Sequence, residues 1–169
     1  MKKVWIGLLC YMIVCAVMPE HIGMPVQHAT SKDWNRDSYW FSPWGESGVH
    51  KGIDIFARKG TPVYASCTGL VIFTGNIDRG GNVVLMLSPK GRIHYYAHLN
   101  ALTTHTLAIV DQQNQIGTVG NTGNAFGKPP HLHYSILRLQ PNIADFTLET
   151  QGWKKMFYLN PGRLLDPSK

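Results

Sequence analysis

Short apolar runs separated by glycine- and proline-marked turns dominate the chain from residue 39 to residue 139. Tyr39-Trp40-Phe41 opens this region. Residues 63–74 read as one strand or two, broken by Gly69, and Asn76-Ile77-Asp78-Arg79-Gly80-Gly81 is a turn signal. Residues 82–87 (NVVLML) predict a short apolar strand, Ser88-Pro89-Lys90-Gly91 a second turn, and residues 92–99 (RIHYYAHL) the returning strand. Residues 118–128 hold Gly120, Gly123 and Gly127 and predict a loop, and residues 131–139 (HLHYSILRL) predict a last strand. Helical periodicity is weak, residues 147–157 being the best candidate, and neither heptads nor internal repeats occur. Strands this short at this spacing predict a mainly β fold. The expected form is an antiparallel β-sandwich or curled sheet with only short helical pieces.

The ends of the chain follow a different pattern. Lys2 and Lys3 precede residues 4–18, which carry no charge, and Pro19-Glu20 closes the run. A basic start followed by an apolar stretch reads as a secretory signal. Val14-Cys15-Ala16 is a poor cleavage site, so an uncleaved membrane anchor is the alternative, although the run falls short of the roughly 20 residues that span a bilayer comfortably. Lipoprotein processing at Cys15 is disfavoured by the bulk of Val14. Residues 19–38 are polar, contain Pro25 and show no sustained period. The expected organisation is therefore a signal peptide or membrane anchor over residues 1–18, a polar tether over 19–38, and one domain over 39–169. It implies export to the cell envelope, periplasmic or extracellular, with an N-terminal membrane tether as one form of that export.

Composition narrows the partners. A chain of 169 residues with 44% hydrophobic content can build one core but hardly two. The net charge of +6 suits a polyanionic partner. No Arg/Lys run interleaved with aromatics occurs, so nucleic acid is not expected. Two of the three cysteines, Cys10 and Cys15, lie in the leader, leaving Cys67 without a disulfide partner inside the domain. Its setting in an apolar strand predicts a small buried core residue.

The candidate chemistry lies in histidines. In a strand, residues two apart share a face, so His131 and His133 of His131-Leu132-His133 address one point in space. His50 and Asp54 add an imidazole and a carboxylate, completing the nitrogen and oxygen donor set that zinc prefers. Alone, an H-x-x-x-D spacing is weak, and an H-x-H pair also occurs as an ordinary cross-strand contact. His98 closes a strand, and His94 has the same strand parity and could reach the same site. His105 reads as a solvated loop residue, and His21 and His28 belong to the tether. More candidate ligands than a zinc site needs leaves some to handle protons, which points to a hydrolase.

Five blocks in order carry a resemblance. They are His50-x-Gly52-x-Asp54; Gly60-Thr61-Pro62-Val63-Tyr64-Ala65 leading to Gly69-Leu70-Val71; Gly81-Asn82-Val83-Val84; Tyr96-Ala97-His98-Leu99; and Ile116 to Gly123 followed by Pro130-His131-Leu132-His133-Tyr134. Together they resemble the lysostaphin-type (LytM-type) zinc metallopeptidases, which cut peptide cross-links in bacterial cell walls. The resemblance implies one zinc per chain held by His50, Asp54 and His133, with His98 and His131 unligated and catalytic. It implies a zinc endopeptidase that hydrolyses peptidoglycan cross-links through a metal-activated water. Trp44-Gly45 is followed by Glu46-Ser47 where the family often has an arginine, and Lys128-Pro129 precedes the last block. Two alternatives remain at this level: a non-catalytic wall-binding or regulatory module that activates another hydrolase, and a domain whose zinc is purely structural.

Overall fold

The computed structural model describes residues 18–166 and Gly7; apart from Gly7 and Met18, the leader expected over residues 1–18 lies outside the described residues. Ten strands are present: β1 Ile53–Phe56, β2 Pro62–Tyr64, β3 Gly69–Ile77, β4 Gly81–Leu87, β5 Arg92–Leu99, β6 Ala101–Leu102, β7 Ile109–Val110, β8 Gln115–Thr118, β9 His131–Arg138 and β10 Tyr158–Leu159. A seven-stranded sheet runs β1-β9-β5-β4-β3-β7, with β10 pairing the C-terminal half of β9 beyond β1. A second sheet of three strands runs β2-β8-β6, and every pairing is antiparallel. The predicted mainly β, antiparallel architecture is therefore present.

Alternation along the strands explains how the two faces divide. Ile53 and Ile55 of β1, Val84 and Met86 of β4, and Leu132, Tyr134 and Ile136 of β9 all point inward and are fully buried. They meet Val63 and Ile116 from the small sheet in one core. Each such side chain contributes about 1.5–3 kcal/mol by leaving water. The intervening residues of β1 and β9 face the other way: Asp54, Phe56, His131, His133, Ser135 and Leu137 line a groove on the outer face of the large sheet. Pairing of Asp54 with His133 and of Phe56 with His131 sets that face in register. Gly52 permits it, because a Cβ there would collide with the Tyr134 carbonyl and the Ser135 hydroxyl.

The sequence misplaced some boundaries. Residues 63–74 belong to two strands in different sheets, and the break falls at 65–68, before Gly69. Of the helix expected over 147–157, only α1 (Gly152–Lys155) forms; a second short helix, α2 (Pro161–Leu165), follows β10. Of the apolar residues of 147–157, Leu148 and Trp153 are exposed, and only Met156 and Phe157, at its end, are partly buried.

The larger departure concerns residues 19–38, which pack on the domain where a solvated tether was expected. Val26 bridges Val63, and Val26 and Trp34 are buried in the core. Gly23 donates its N–H to the Ser66 carbonyl at 2.7 Å. Glu20 is buried, accepts hydrogen bonds from Ser88 and Arg92, and lies beside His94. Burial alone would raise its pKa, but the hydrogen bonds from His94 and Ser88 and the charges of His94 and Arg92 outweigh this and hold it at about 2. A carboxyl depressed from 4.5 stabilises the fold above that pH, and the contribution disappears as pH falls towards about 2. Glu20→Gln is expected to cost about 1–2 kcal/mol at neutral pH, allowing for solvent screening, and to flatten the stability profile in this acid window. Denaturant melts of both proteins between neutral pH and pH ~2 check it; superimposable profiles would refute the assignment.

Candidate active site

Three ligand atoms converge where β1 meets β9. His50 Nε2 lies 3.0 Å from Asp54 Oδ1 and 3.1 Å from His133 Nδ1, and Asp54 Oδ1 lies 2.8 Å from His133 Nδ1. The outward partners fix the tautomers. His50 Nδ1–H donates to the Ser38 carbonyl at 3.0 Å, leaving a lone pair on Nε2. Ser135 donates its hydroxyl to the Lys51 carbonyl at 2.8 Å, so it accepts from His133 Nε2–H at 3.0 Å, and His133 Nδ1 carries the lone pair. The inward-facing atoms are thus two imidazole lone pairs and a carboxylate oxygen with no proton among them. Such a cluster repels itself unless a cation sits at its centre, and its nitrogen and oxygen donors suit a borderline divalent ion. The buried His133 is hard to protonate: desolvation lowers its pKa against the opposing pull of Asp54. The indole of Trp44 stacks on His50, with ring centroids 4.1 Å apart and planes at 17°.

Two further histidines stand beside this cluster. His131 Nδ1–H donates to the Pro129 carbonyl at 2.8 Å, which leaves Nε2 facing Asp54 Oδ2 at 4.0 Å. His98 Nδ1–H donates to the Thr122 carbonyl at 2.9 Å, and its ring lies 5.1 Å from that of His131 and 6.0 Å from that of His133. Desolvation, followed by the neighbouring His133 and His131, lowers the His98 pKa to about 4.

Strand parity alone would have sent His98 into the core. On β5, Tyr95 faces the groove, whereas His94 and Tyr96 are fully buried on the inner face. His98 escapes this alternation because its φ is +63°, a left-handed conformation uncommon outside glycine, which turns its side chain to the groove. Its N–H is held by the Gly80 carbonyl at 2.8 Å.

All five expected site residues, His50, Asp54, His98, His131 and His133, therefore line one groove of about 630 Å³. His94 does not join them. It belongs to a buried network in which Tyr134, Ser66, Cys67 and Glu20 surround its ring. Glu20, Cys67 and His94 form a second set of potential ligands. There the carboxylate already engages Arg92 and Ser88, and burial with the charge of Glu20 pushes the Cys67 thiol up to about 12, so it stays protonated. That set is a structural joint between the N-terminal segment and the sheet. Ser135, which holds His133 Nε2 and lines the groove, is the residue that the motif reading missed. It stands two residues beyond His133 on the same face, so the alternation that paired the histidines could have found it.

Residues 48–144 match peptidase family M23. The L-Ala–D-Glu endopeptidase of Bacillus subtilis is 34% identical over 125 residues, covering 66% of this chain and 38% of that protein. The peptidoglycan DD-endopeptidase ShyA of Vibrio cholerae is 36% identical over 88 residues, covering 52% of this chain and 20% of that protein. The chain thus spans well under half the length of these curated relatives. Among solved structures, the catalytic domain of the antimicrobial peptidase lysostaphin from Staphylococcus simulans superimposes with a TM-score of 0.58 at 27% identity, covering 73% of this chain and 85% of that one.

Proposed function

Because the chain belongs to peptidase family M23, we propose that it is a zinc metalloendopeptidase acting on the peptide cross-links of bacterial peptidoglycan. The observation that carries this reading is the convergence of three proton-free donor atoms from His50, Asp54 and His133 beside two unligated histidines. These three residues would hold zinc, which supplies Lewis acidity, polarising a carbonyl and lowering the pKa of water to about 7.

The protein's own groups do the rest. The carbonyls of Thr122 and Pro129 hold the Nδ1 protons of His98 and His131, which directs both Nε2 atoms to the groove. His98, neutral at any pH well above about 4, is available to take a proton at Nε2. Once protonated, either imidazole can stabilise an oxyanion or return the proton to the leaving amine. The exposed groove admits an extended peptide between the turn at residues 45–47 and the loop at residues 124–129. Export to the envelope fits this substrate and the basic-then-apolar start of the chain. The non-catalytic wall-binding alternative is not favoured, since all five residues are present and assembled.

The test is to measure bound zinc and to follow new amine termini released from purified peptidoglycan of several wall chemotypes. About one zinc per chain, with cleavage abolished by a chelator and restored by zinc, is the expected result. Chelator-insensitive cleavage, or none by the zinc-loaded protein on any wall, would sink the proposal.

A further inference from the structure

Two walls flank the groove. Gly45–Ser47 and Lys51 build one, and Arg79, Gly80 and residues 124–129 build the other. An ion pair joins them across the mouth: Arg79 Nη2 lies 3.1 Å from Glu46 Oε2, with the side chains 60% and 79% exposed. A pair this exposed contributes little to stability and is not a clamp. Both its ends nevertheless line the groove. The other charged lining residues are Lys51, Lys128 and Asp54. With Asp54 assigned to the metal, Glu46 is the remaining acid facing three cations. Lys51 is already committed, donating from Nζ to the Ser47 carbonyl at 2.9 Å. Arg79 has a fixed base, because its carbonyl accepts the Asn124 N–H at 3.0 Å, while its exposed guanidinium has Glu46 as its ion-pair partner.

A guanidinium that lines the groove and is paired with a single exposed carboxylate is matched to a second carboxylate arriving on the ligand. Arginine's planar fork recognises that group in two-point fashion, which a lysine cannot do. We infer that Arg79 reads a free carboxylate on the substrate peptide close to the bond that is cut. Glu46 occupies its place in the free protein as an internal substitute that the substrate displaces. The inference rests on the peptidase reading and narrows its substrate class to peptides bearing an acidic group near the scissile bond, as opposed to uncharged bridges. Arg79 is a specificity residue and takes no part in the chemistry.

Two synthetic wall peptides, identical except that one carboxylate is free in the first and amidated in the second, test it. The wild-type protein is expected to show a KM about tenfold lower for the free acid, with similar kcat. Arg79→Gln is expected to erase the difference by raising the KM of the acid alone. Glu46→Gln is expected to lower that KM about two- to threefold, because the internal competitor is gone. Equal KM values for the two peptides in the wild type, or discrimination that survives Arg79→Gln, overturn the inference while leaving the peptidase reading intact. Should neither peptide be cut, the peptidase reading is decided by the digestion of whole walls described above, and calorimetric Kd values for the same two peptides decide the role of Arg79. A preference for the acid that Arg79→Gln removes supports it; equal affinities overturn it.

Discussion

Asp54→Ala is expected to empty the metal site and to lower peptide hydrolysis by at least about 10³-fold while the domain stays folded. Asp54 supplies the anionic donor of the three, and its Oδ1 touches both ligating imidazoles. Without it, two neutral nitrogens remain, which is too few for a closed or a catalytic zinc site. The fold survives because β1 is held from its other face, by Ile53 and Ile55 in the core. Removing the carboxylate also removes the desolvation of a buried charge, so the melting temperature of the metal-free protein is expected to change little. Metal analysis, hydrolysis and a thermal melt on the same preparation check all three statements. Retention of stoichiometric zinc by Asp54→Ala would dismiss His50, Asp54 and His133 as the ligand set.

The second large effect separates chemistry from metal binding. His98→Ala and His131→Ala are each expected to keep bound zinc and to lose about 10²–10⁴-fold in kcat, the range typical of a positioned acid or base. Neither ring is within hydrogen-bond reach of the His50 and His133 ligand atoms, and each is oriented by a backbone carbonyl of its own. The two are expected to act as a unit, so the double variant should be little worse than the weaker single one. The sign of the pH effect also follows. The His98 pKa is lowered to about 4, so loss of the neutral imidazole on acidification should not limit the rate until pH approaches that value. A single variant that lost its metal along with its activity would reassign that histidine to the ligand set.

How much of this was legible in the sequence depended on which local rule governed each residue. The strands at 82–87, 92–99 and 131–138 were readable because alternation and flanking turn residues act within a few positions. His131 and His133 were readable for the same reason, being two apart on a regular strand. His98 was in the right motif but on the wrong side by parity; only its positive φ, which no periodicity reports, turns it to the groove. His94 shows the reverse error: its parity with His98 suggested a shared site, yet the backbone change lies between them and leaves His94 in the core. Residues 19–38 looked like a tether because their apolar residues are scattered. Val26 and Trp34 nevertheless find the core singly, and Glu20 finds Arg92 across 72 positions of sequence, a pairing no window detects. The helix expected over 147–157 failed because most of that stretch has no surface to bury against, and propensity alone sustains only α1.

The docking of Glu20 fixes the direction from which the domain can be held. Lys90 donates to the Met18 carbonyl, so the chain enters beside the turn that joins β4 to β5. Along β5, His98, the proposed proton carrier, is six residues beyond Arg92, or about 20 Å away at strand rise. Met18 is therefore held near the Arg92 end of β5, and residues 18–38, packed on the domain, leave little slack between it and the sheet. A pull or a displacement applied at Met18 is thus passed directly to the sheet that carries the groove, with no intervening spacer to absorb it.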